Sequence, residues 1–209
     1  MNSEDVQVIE KKRVFTSYVK VDRYAFKHKL FNGGDSAELA REVIERGHAA
    51  AVLLYDPDLD LLVMIEQFRP GAYVAQQSDL IGNQQSPWLI ECVAGIIDQG
   101  ESPEDVVRRE AGEEADCEIL DLVPLYHYYT SPGCLSESVF LYCGRVDASA
   151  AGGIHGLASE GEDIRVFTAT PAQALDWMAA GRINNSMTMI ALQWLQINRQ
   201  KLVRQWLRS

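Results

Sequence analysis

The segment 95–114 carries the densest set of side chains that could do chemistry. Glu110, Glu113 and Glu114 are three and four positions apart, so a helix would gather their carboxylates on one side. At an effective dielectric constant near 20 and a separation of about 5 Å, each pair would repel by roughly 3 kcal/mol. Divalent cations would turn that repulsion into attraction, because carboxylate oxygens are ligands that Mg²⁺ accepts. A solvated acidic helix face is the alternative interpretation.

A helix is expected to begin directly before these carboxylates. Ser102 is a good N-cap, and Pro103 suits the first helical position. Glu104 and Asp105 then complement the positive end of the helix dipole. Gly112 would cost the helix about 1 kcal/mol relative to alanine.

The composition limits the classes of protein to which the chain can belong. It has 209 residues, 47% of them hydrophobic, which provides a sizeable core and excludes disorder as the main state. The net charge of −11 disfavours nucleic-acid binding, and an anionic substrate would need cations between it and the protein. The sequence shows neither a membrane span nor a signal peptide, so we expect a cytoplasmic protein without membrane association.

Cysteine and histidine form no recognisable site. The four cysteines are well separated and include no C-x-x-C pair, which argues against a zinc ribbon or a thioredoxin-like centre. Reduced, partly buried thiols are the expected state. The four histidines form no pattern with these cysteines, so a cysteine nucleophile is not indicated.

The first 46 residues predict a small antiparallel sheet. Residues 18–30 alternate between two faces, a turn follows at 32–34, and a second extended stretch covers 38–45. Such a sheet has too little apolar surface to be stable alone. It either covers the main domain or is shared with a second copy of the chain, and exchange of such an element is a low-cost route to a homodimer.

Residues 47–209 predict a larger domain of the α+β class. Hairpin-length connections imply antiparallel neighbours, which favours mixed αβα layers over a doubly wound parallel sheet. Residues 70–87 are predicted to be a surface loop, and 149–156 a mobile glycine-rich loop. Strands are predicted at 48–55, 61–68, 88–93, 122–129 and 138–146, and further helices at 171–181 and 186–207, the latter with Ile190, Trp194, Ile197, Leu202 and Trp206 on its apolar face.

The order of the polar residues in 95–114 resembles the Nudix box, Gly-x5-Glu-x7-Arg-Glu-U-x-Glu-Glu-x-Gly-U, where U is aliphatic. Three positions depart from the pattern: Ala111, Asp116 and Cys117. Asp tolerates the left-handed conformation better than most residues, and Cys behaves as a small hydrophobe, so the helix end should be preserved. Six positions fall in register: Gly95, Glu101, Arg109, Glu110, Glu113 and Glu114.

Segments outside the box are similar to the bacterial ADP-ribose pyrophosphatase branch of the Nudix hydrolases. They are 41–50, 65–69, 131–133, where Pro132 lies fifteen positions beyond Cys117, and 154–164, which resembles the catalytic loop. The resemblance covers nearly the whole chain. It implies the Nudix fold, an αβα sandwich with a mixed sheet, together with the small N-terminal antiparallel sheet and a swapped homodimer.

The resemblance also implies a role for each matching residue. Two or three Mg²⁺ ions, or Mn²⁺ in their place, would be held by the Ala94 carbonyl, Glu110, Glu114 and Glu162. Glu160 would accept the proton of the attacking water, with Glu113 as the next candidate; without the resemblance, Glu160 would be taken as a solvated loop acid. Tyr18 matches an aromatic residue that stacks on adenine across the dimer. Substrate contacts are implied for Tyr18, Val19, Arg41, Glu42, Arg46, Arg69, Ile96, Ser131, Gly133 and Glu137.

The implied activity is Mg²⁺-dependent hydrolysis of the pyrophosphate bond of ADP-ribose to AMP and ribose 5-phosphate. Attack on an anionic phosphorus needs cations that neutralise its oxygens and lower the pKa of a bound water. A carboxylate on a flexible loop could reach that water only when substrate is bound. Two alternatives stay open: hydrolysis of another nucleoside diphosphate sugar such as GDP-mannose, and a Nudix-fold binding module without turnover, which the complete carboxylate set disfavours.

Overall fold

The computed structural model describes residues 1–81 and 85–207. The chain divides into two compact units, one made of Met1–His48 and Tyr128–Ser138, the other of Ala49–His127 and Val139–Ser209. The expected domain boundary after residue 46 stays a prediction. Segment 128–138 was not expected in the first unit.

The first unit contains a three-stranded antiparallel sheet in the order β1-β2-β3. The sequence did not predict β1, because register shifts at two places along the strand break its alternation. Backbone hydrogen bonds attach segment 128–138 to β3: the Ile44 N–H donates to the Cys134 carbonyl at 2.8 Å. The three strands are β1 (Val6–Thr16), β2 (Lys20–His28) and β3 (Leu39–Glu45).

The second sheet has eight strands and is mixed, since β4 pairs in parallel with β9 and antiparallel with β5 and β7. Its strands are β4 (Ala49–Asp56), β5 (Leu61–Phe68), β6 (Trp88–Glu91), β7 (Val93–Ile96), β8 (Asp121–Tyr129), β9 (Ser138–Arg145), β10 (Gly153–His155) and β11 (Ile164–Ala169). The helices are α1 (Pro70–Ala75), α2 (Pro103–Ala115), α3 (Pro171–Ala179) and α4 (Ser186–Trp206).

Helices cover both faces of this sheet. On one face, Val52 and Leu54 of β4 join Val107 of α2 in a buried apolar cluster. On the other face, the hydroxyl of Tyr55 accepts a hydrogen bond from Arg199 of α4 at 3.2 Å. Successive side chains of β4 therefore point to opposite faces of the sheet, one toward α2 and the other toward α4, as alternation in a strand requires. The predicted αβα arrangement with a mixed sheet is confirmed.

The sheet opens between β4 and β5. These strands pair only at residues 54–56 and 61–63; beyond that point β5 pairs with β6, and β7 takes its place beside β4. Cys92 lies at the crossing, where its N–H donates to Thr188 Oγ1 of α4 at 2.9 Å. The strand predicted at 88–93 is thus divided in two, and the opening exposes the backbone of β7 to α2.

Several other predictions were wrong in detail. The loop predicted at 70–87 contains α1, and its residues 82–84 lie outside the described part. Strand β10 lies within the predicted glycine-rich loop, and β11 was not predicted. Ile197, predicted on the apolar face of α4, is 81% exposed, whereas Leu202 and Trp206 are buried as expected; Leu192 and Leu195 supply the buried face in the first half of the helix. None of the described helices is long and apolar enough to cross a membrane.

Candidate active site

Helix α2 begins and ends where the sequence indicates. Ser102 Oγ accepts a hydrogen bond from the Asp105 N–H at 3.2 Å, and the Asp105 carboxylate accepts one from the Ser102 N–H. Asp116 adopts the left-handed conformation, with φ of 51° and ψ of 39°. Cys117 follows it into the apolar core at 7% exposure. Two departures from the Nudix pattern therefore preserve the geometry of the helix end.

Two glutamates of α2 lie against the backbone of β7. Glu114 accepts a hydrogen bond from the Ala94 N–H at 3.2 Å. Glu110 lies directly over Gly95, where a Cβ atom would overlap with its carboxylate. A methyl group at the first glycine of the box would therefore force the Glu110 carboxylate out of its position against β7.

Arg109 balances the charge on this helix. Its Nη1 donates to Glu110 and to Glu113, each at 2.9 Å. Its Nε donates to Glu101 at 3.0 Å, and this contact lowers the pKa of the Glu101 carboxyl. The expectation of three mutually repelling carboxylates was therefore incomplete, because the guanidinium lies between two of them.

Glu114 forms no ion pair of this kind with a described residue. The residue is 2% exposed, and burial, with the charge of Glu110 adding to it, raises the pKa of Glu114 to about 8 despite the hydrogen bond from Ala94. Burial also raises the pKa of Glu110, and the Arg109 guanidinium offsets part of that rise. A buried carboxylate held in its charged form costs free energy unless a cation accompanies it.

The loop before β11 brings Glu162 to this cluster. Its carboxylate accepts a hydrogen bond from the Leu157 N–H at 2.9 Å, and its charge raises the pKa of Glu110 and Glu114. Gly156 adopts φ of 98°, and a Cβ there would lie 2.7 Å from that of Glu162. Glu160 lies in a short 3-10 helix and is exposed; its backbone N–H donates to the Leu157 carbonyl at 2.9 Å, but its carboxylate forms no hydrogen bond or ion pair with any described residue. The two acids of this loop therefore differ: the Glu162 carboxylate is hydrogen-bonded to the loop backbone, whereas the Glu160 carboxylate is exposed.

The chemistry of this cluster fits hard divalent cations. Glu110, Glu114 and Glu162 supply oxygen ligands that are close enough to perturb one another, and the Ala94 carbonyl belongs to the strand on which they pack. Within the described part of the chain, no group of three or more His, Cys, Asp or Glu side chains is gathered closely enough to hold a metal ion as arranged. Protein donors engage each glutamate instead, so cation binding would require Glu110 and Glu162 to exchange these partners.

Two polar residues of the site were missed from the sequence. Glu91 of β6 is 3% exposed and accepts a hydrogen bond from Arg69 Nε at 2.7 Å. Gln67 is 7% exposed, and its Nε2 is buried without a hydrogen-bond partner among the described residues. The available signal was a charged or amide side chain inside a strand that is otherwise apolar.

The other implied substrate residues lie mainly in the first unit. Arg46 and Glu137 form an ion pair at 3.3 Å, and Thr130 donates to Glu137 at 3.0 Å. Tyr18 is 82% exposed in the bend between β1 and β2. Arg41 and Glu42 are exposed on β3, and Val19 follows Tyr18. Ser131 and Gly133 are exposed in the turn between β8 and β9. Ile96 is the last residue of β7 in the second unit.

The geometry of this helix and strand agrees with a family comparison. The model of the NUDIX domain matches residues 45–186. The chain belongs to the Nudix family. The ADP-ribose pyrophosphatase of Escherichia coli (strain K12) is 46% identical over 202 residues, covering 97% of this chain and 93% of that relative.

Further relatives carry two different names. The ADP-ribose pyrophosphatase of Haemophilus influenzae is 40% identical over 208 residues, 100% of this Nudix chain and 94% of the relative. The GDP-mannose pyrophosphatase of Pectobacterium atrosepticum is 31% identical over 195 residues, 91% of this chain and 94% of the relative. A solved structure described as an ADP compounds hydrolase superposes with a TM-score of 0.67 at 19% identity, covering 92% of this chain and 95% of that one. This structural likeness supports the fold.

The contact between Gly95 and Glu110 predicts opposite effects for two glycine substitutions. Gly95→Ala should destabilise the protein by about 1–3 kcal/mol and lower activity, because the methyl group displaces the Glu110 carboxylate. Gly112→Ala is the matched control, since nothing lies within 4 Å of its Cβ position and alanine favours a helix by up to about 1 kcal/mol. Urea unfolding with activity assays would compare them. Equal effects of the two substitutions would contradict this packing.

The raised pKa of Glu114 predicts a pH-dependent stability of the metal-free protein. Because the folded-state pKa of about 8 exceeds the ordinary value of 4.5, this group stabilises the fold below pH 4.5 and that stability is lost as pH rises toward 8. With a chelator present, the free energy of unfolding of wild type should fall more steeply as pH rises from 4.5 to 8 than that of Glu114→Gln. The two slopes should differ by up to about 1.4 kcal/mol per pH unit. Unfolding curves at several pH values, with Glu113→Gln as control, measure this; parallel profiles for wild type and Glu114→Gln would refute it.

Proposed function

We propose that this chain is an ADP-ribose diphosphatase, which hydrolyses the pyrophosphate bond of ADP-ribose to AMP and ribose 5-phosphate with Mg²⁺. The observation that carries the proposal is the placement of Glu110 and Glu114 of the box helix against β7, with Glu162 close enough to act on both electrostatically. The two ADP-ribose pyrophosphatases at 40% and 46% identity support this choice of substrate.

The acidic residues of the site have two proposed roles in the reaction, cation binding and proton transfer. The Ala94 carbonyl, Glu110, Glu114 and Glu162 would hold the cations, which supply charge neutralisation at phosphate oxygens and a bound water of lowered pKa. Glu160 accepts the proton of the attacking water on its carboxylate; its exposure and its place beside two glycines of positive φ, Gly156 and Gly161, suit a group that moves. The water oxygen forms the new P–O bond as the bridging P–O bond breaks.

The remaining polar residues bind the substrate. Arg69 offers a guanidinium to the diphosphate, because only its Nε is engaged, by Glu91. In the first unit, Arg41 and Arg46 are the proposed cationic contacts, and Tyr18 the proposed stacking residue for adenine. The other proposed contacts are Val19, Glu42, Ile96, Ser131, Gly133 and Glu137.

A substrate panel tests the proposed activity. ADP-ribose, GDP-mannose, diadenosine polyphosphates and nucleoside triphosphates would be incubated with the protein and either Mg²⁺, Mn²⁺ or a chelator, and products identified by chromatography. We expect AMP and ribose 5-phosphate from ADP-ribose, with metal required. Faster turnover of GDP-mannose would favour the second candidate, which the relative at 31% identity supports. Binding without turnover of any substrate would indicate a binding module.

The two acids of the catalytic loop should respond differently to metal. Glu160→Gln should lower kcat by about 10²- to 10⁴-fold with little change in KM, because the positioned base is lost while the substrate contacts stay. Glu162→Gln should raise the Mg²⁺ requirement, and excess Mg²⁺ should restore part of its rate. Titrating Mg²⁺ for both variants gives the measurement. If excess Mg²⁺ rescued only Glu160→Gln, the two roles would have to be exchanged. If both variants kept normal activity, another residue would be the base, and Glu113 is the next candidate.

We also propose that the chain is a homodimer. Strand β1 is the edge of a three-stranded sheet, and all eleven of its residues are exposed. A long exposed edge offers unpaired backbone groups together with apolar side chains, which a second copy can cover. The exposed apolar residues are Val6, Val8, Ile9, Val14 and Phe15. The cytoplasmic location expected from the sequence stays a prediction.

Mixing experiments test both the dimer and the role of Tyr18. Tyr18→Ala and Glu110→Gln should each be weakly active, and mixed dimers should exceed the sum of the two if Tyr18 serves the partner's site, because one intact site is then restored. Light scattering gives the mass before and after mixing. A monomer that is fully active would refute the dimer, and activity equal to the sum would place Tyr18 in the site of its own chain.

A further inference from the structure

Glu91 is a buried carboxylate to which nothing in the proposed reaction gives a role. Its side chain is 4% exposed, and it lies on β6 directly opposite Ile65 of β5. Residues that are directly opposite in a sheet share a face. Ile65 packs with Val107 of α2 in the apolar cluster, so Glu91 faces the layer that contains the box helix.

The partner of Glu91 is Arg69, which follows the last residue of β5. Its Nε donates to Glu91 at 2.7 Å, while its N–H donates to the Pro87 carbonyl at 2.9 Å. The backbone of Arg69 is therefore attached to the residue that precedes β6, and its side chain to the last residue of that strand. Its two Nη groups donate no hydrogen bond to any described residue, and 38% of the side chain is exposed.

Arg69 is also electrostatically connected to the carboxylate cluster. Its positive charge lowers the pKa of Glu114, against the larger effect of burial. The guanidinium is thus hydrogen-bonded to Glu91 and acts at longer range on Glu114. A buried ion pair contributes little net stability, since desolvation offsets its attraction, so stability alone explains Glu91 poorly.

We propose that Glu91 is a positioning residue that fixes Arg69 through Nε, so that both Nη groups face the diphosphate of the substrate. The fork geometry of guanidinium supports this division, because it can bond one carboxylate through Nε and still present donors to a phosphate. Fixing the side chain before substrate binds also removes the conformational entropy that a free arginine would lose. The inference rests on the proposed function for the diphosphate ligand.

A double-mutant cycle tests whether Glu91 acts through Arg69. Glu91→Gln should lower kcat/KM about tenfold, mainly through KM, because a neutral amide holds the guanidinium less firmly. In the Arg69→Ala background the same change should have an effect below about twofold. Glu66→Gln is the matched control: Glu66 lies on β5 and pairs with Arg165 of β11, and its loss should leave kcat/KM unchanged. Equal effects of Glu91→Gln in both backgrounds would overturn the proposal.

Chemical rescue provides a readout that a purely structural residue would not affect. Guanidinium chloride at low, non-denaturing concentration should restore part of the activity of Arg69→Ala, because Glu91 can bind the free cation. It should restore little activity in the Arg69→Ala/Glu91→Gln double variant, because the carboxylate that would bind guanidinium is absent. The double variant also lacks the unpaired buried carboxylate that could make Arg69→Ala fold poorly. Equal rescue in both would refute the proposal.

The result is separable from the substrate assignment. If wild type prefers another nucleoside diphosphate sugar, the proposed function fails, but the cycle is measured with that substrate. If no substrate is turned over, calorimetric affinities for ADP-ribose in the same four proteins complete the cycle. Coupling between the two positions supports the inference in either case, and additivity overturns it.

Discussion

The close approach of α2 to the backbone of β7 is the contact on which the site depends. Glu114 accepts the Ala94 N–H, and Glu110 occupies the space that a side chain at residue 95 would fill. Strand β7 is accessible to the helix because β5 leaves β4 after three paired residues and continues with β6. The site therefore needs three features together: the division of the sheet, a glycine at residue 95, and a helix register that points Glu110 and Glu114 toward β7.

Charge is distributed unevenly across this arrangement. Arg109 bonds Glu101, Glu110 and Glu113 at the more exposed side of the helix, whereas buried Glu114 has only a backbone N–H and the more distant Arg69. The pKa of about 8 at Glu114 records the resulting free-energy cost. The proposed cation site gives such a group a role, since a carboxylate without a fixed cationic partner is the one that a divalent ion can stabilise most.

The first unit has a different physical character. Its three-stranded sheet has few buried residues, and β1 is exposed throughout its length, yet two internal ion pairs hold buried Asp22 to Lys11 and Arg13. A sheet with so little apolar burial is not expected to be stable in isolation. The same deficit that makes it a poor independent domain makes its exposed edge suitable for association with another copy.

The sequence by itself determined the box helix, its caps and the family. Ser102, Asp105 and Asp116 act locally, through hydrogen bonds or backbone conformations that need only neighbouring residues, and these predictions were confirmed. The hairpin of β4 and β5 and the αβα layers also followed from short apolar runs and short connections. Strand β1 was missed because its bulges disrupt that alternation, and α1 because six residues with an internal glycine give no clear period.

Only the tertiary structure decided how the acids are partnered. Glu91 and Arg69 are separated by 22 positions, and their pairing depends on the register between β5 and β6. Glu114 is buried and Glu113 partly exposed although they are adjacent, because a helix turns about 100° per residue and only one of them faces β7. Spacing along the chain therefore identified which residues could bind a cation, while packing across the sheet determined which of them carry an uncompensated charge.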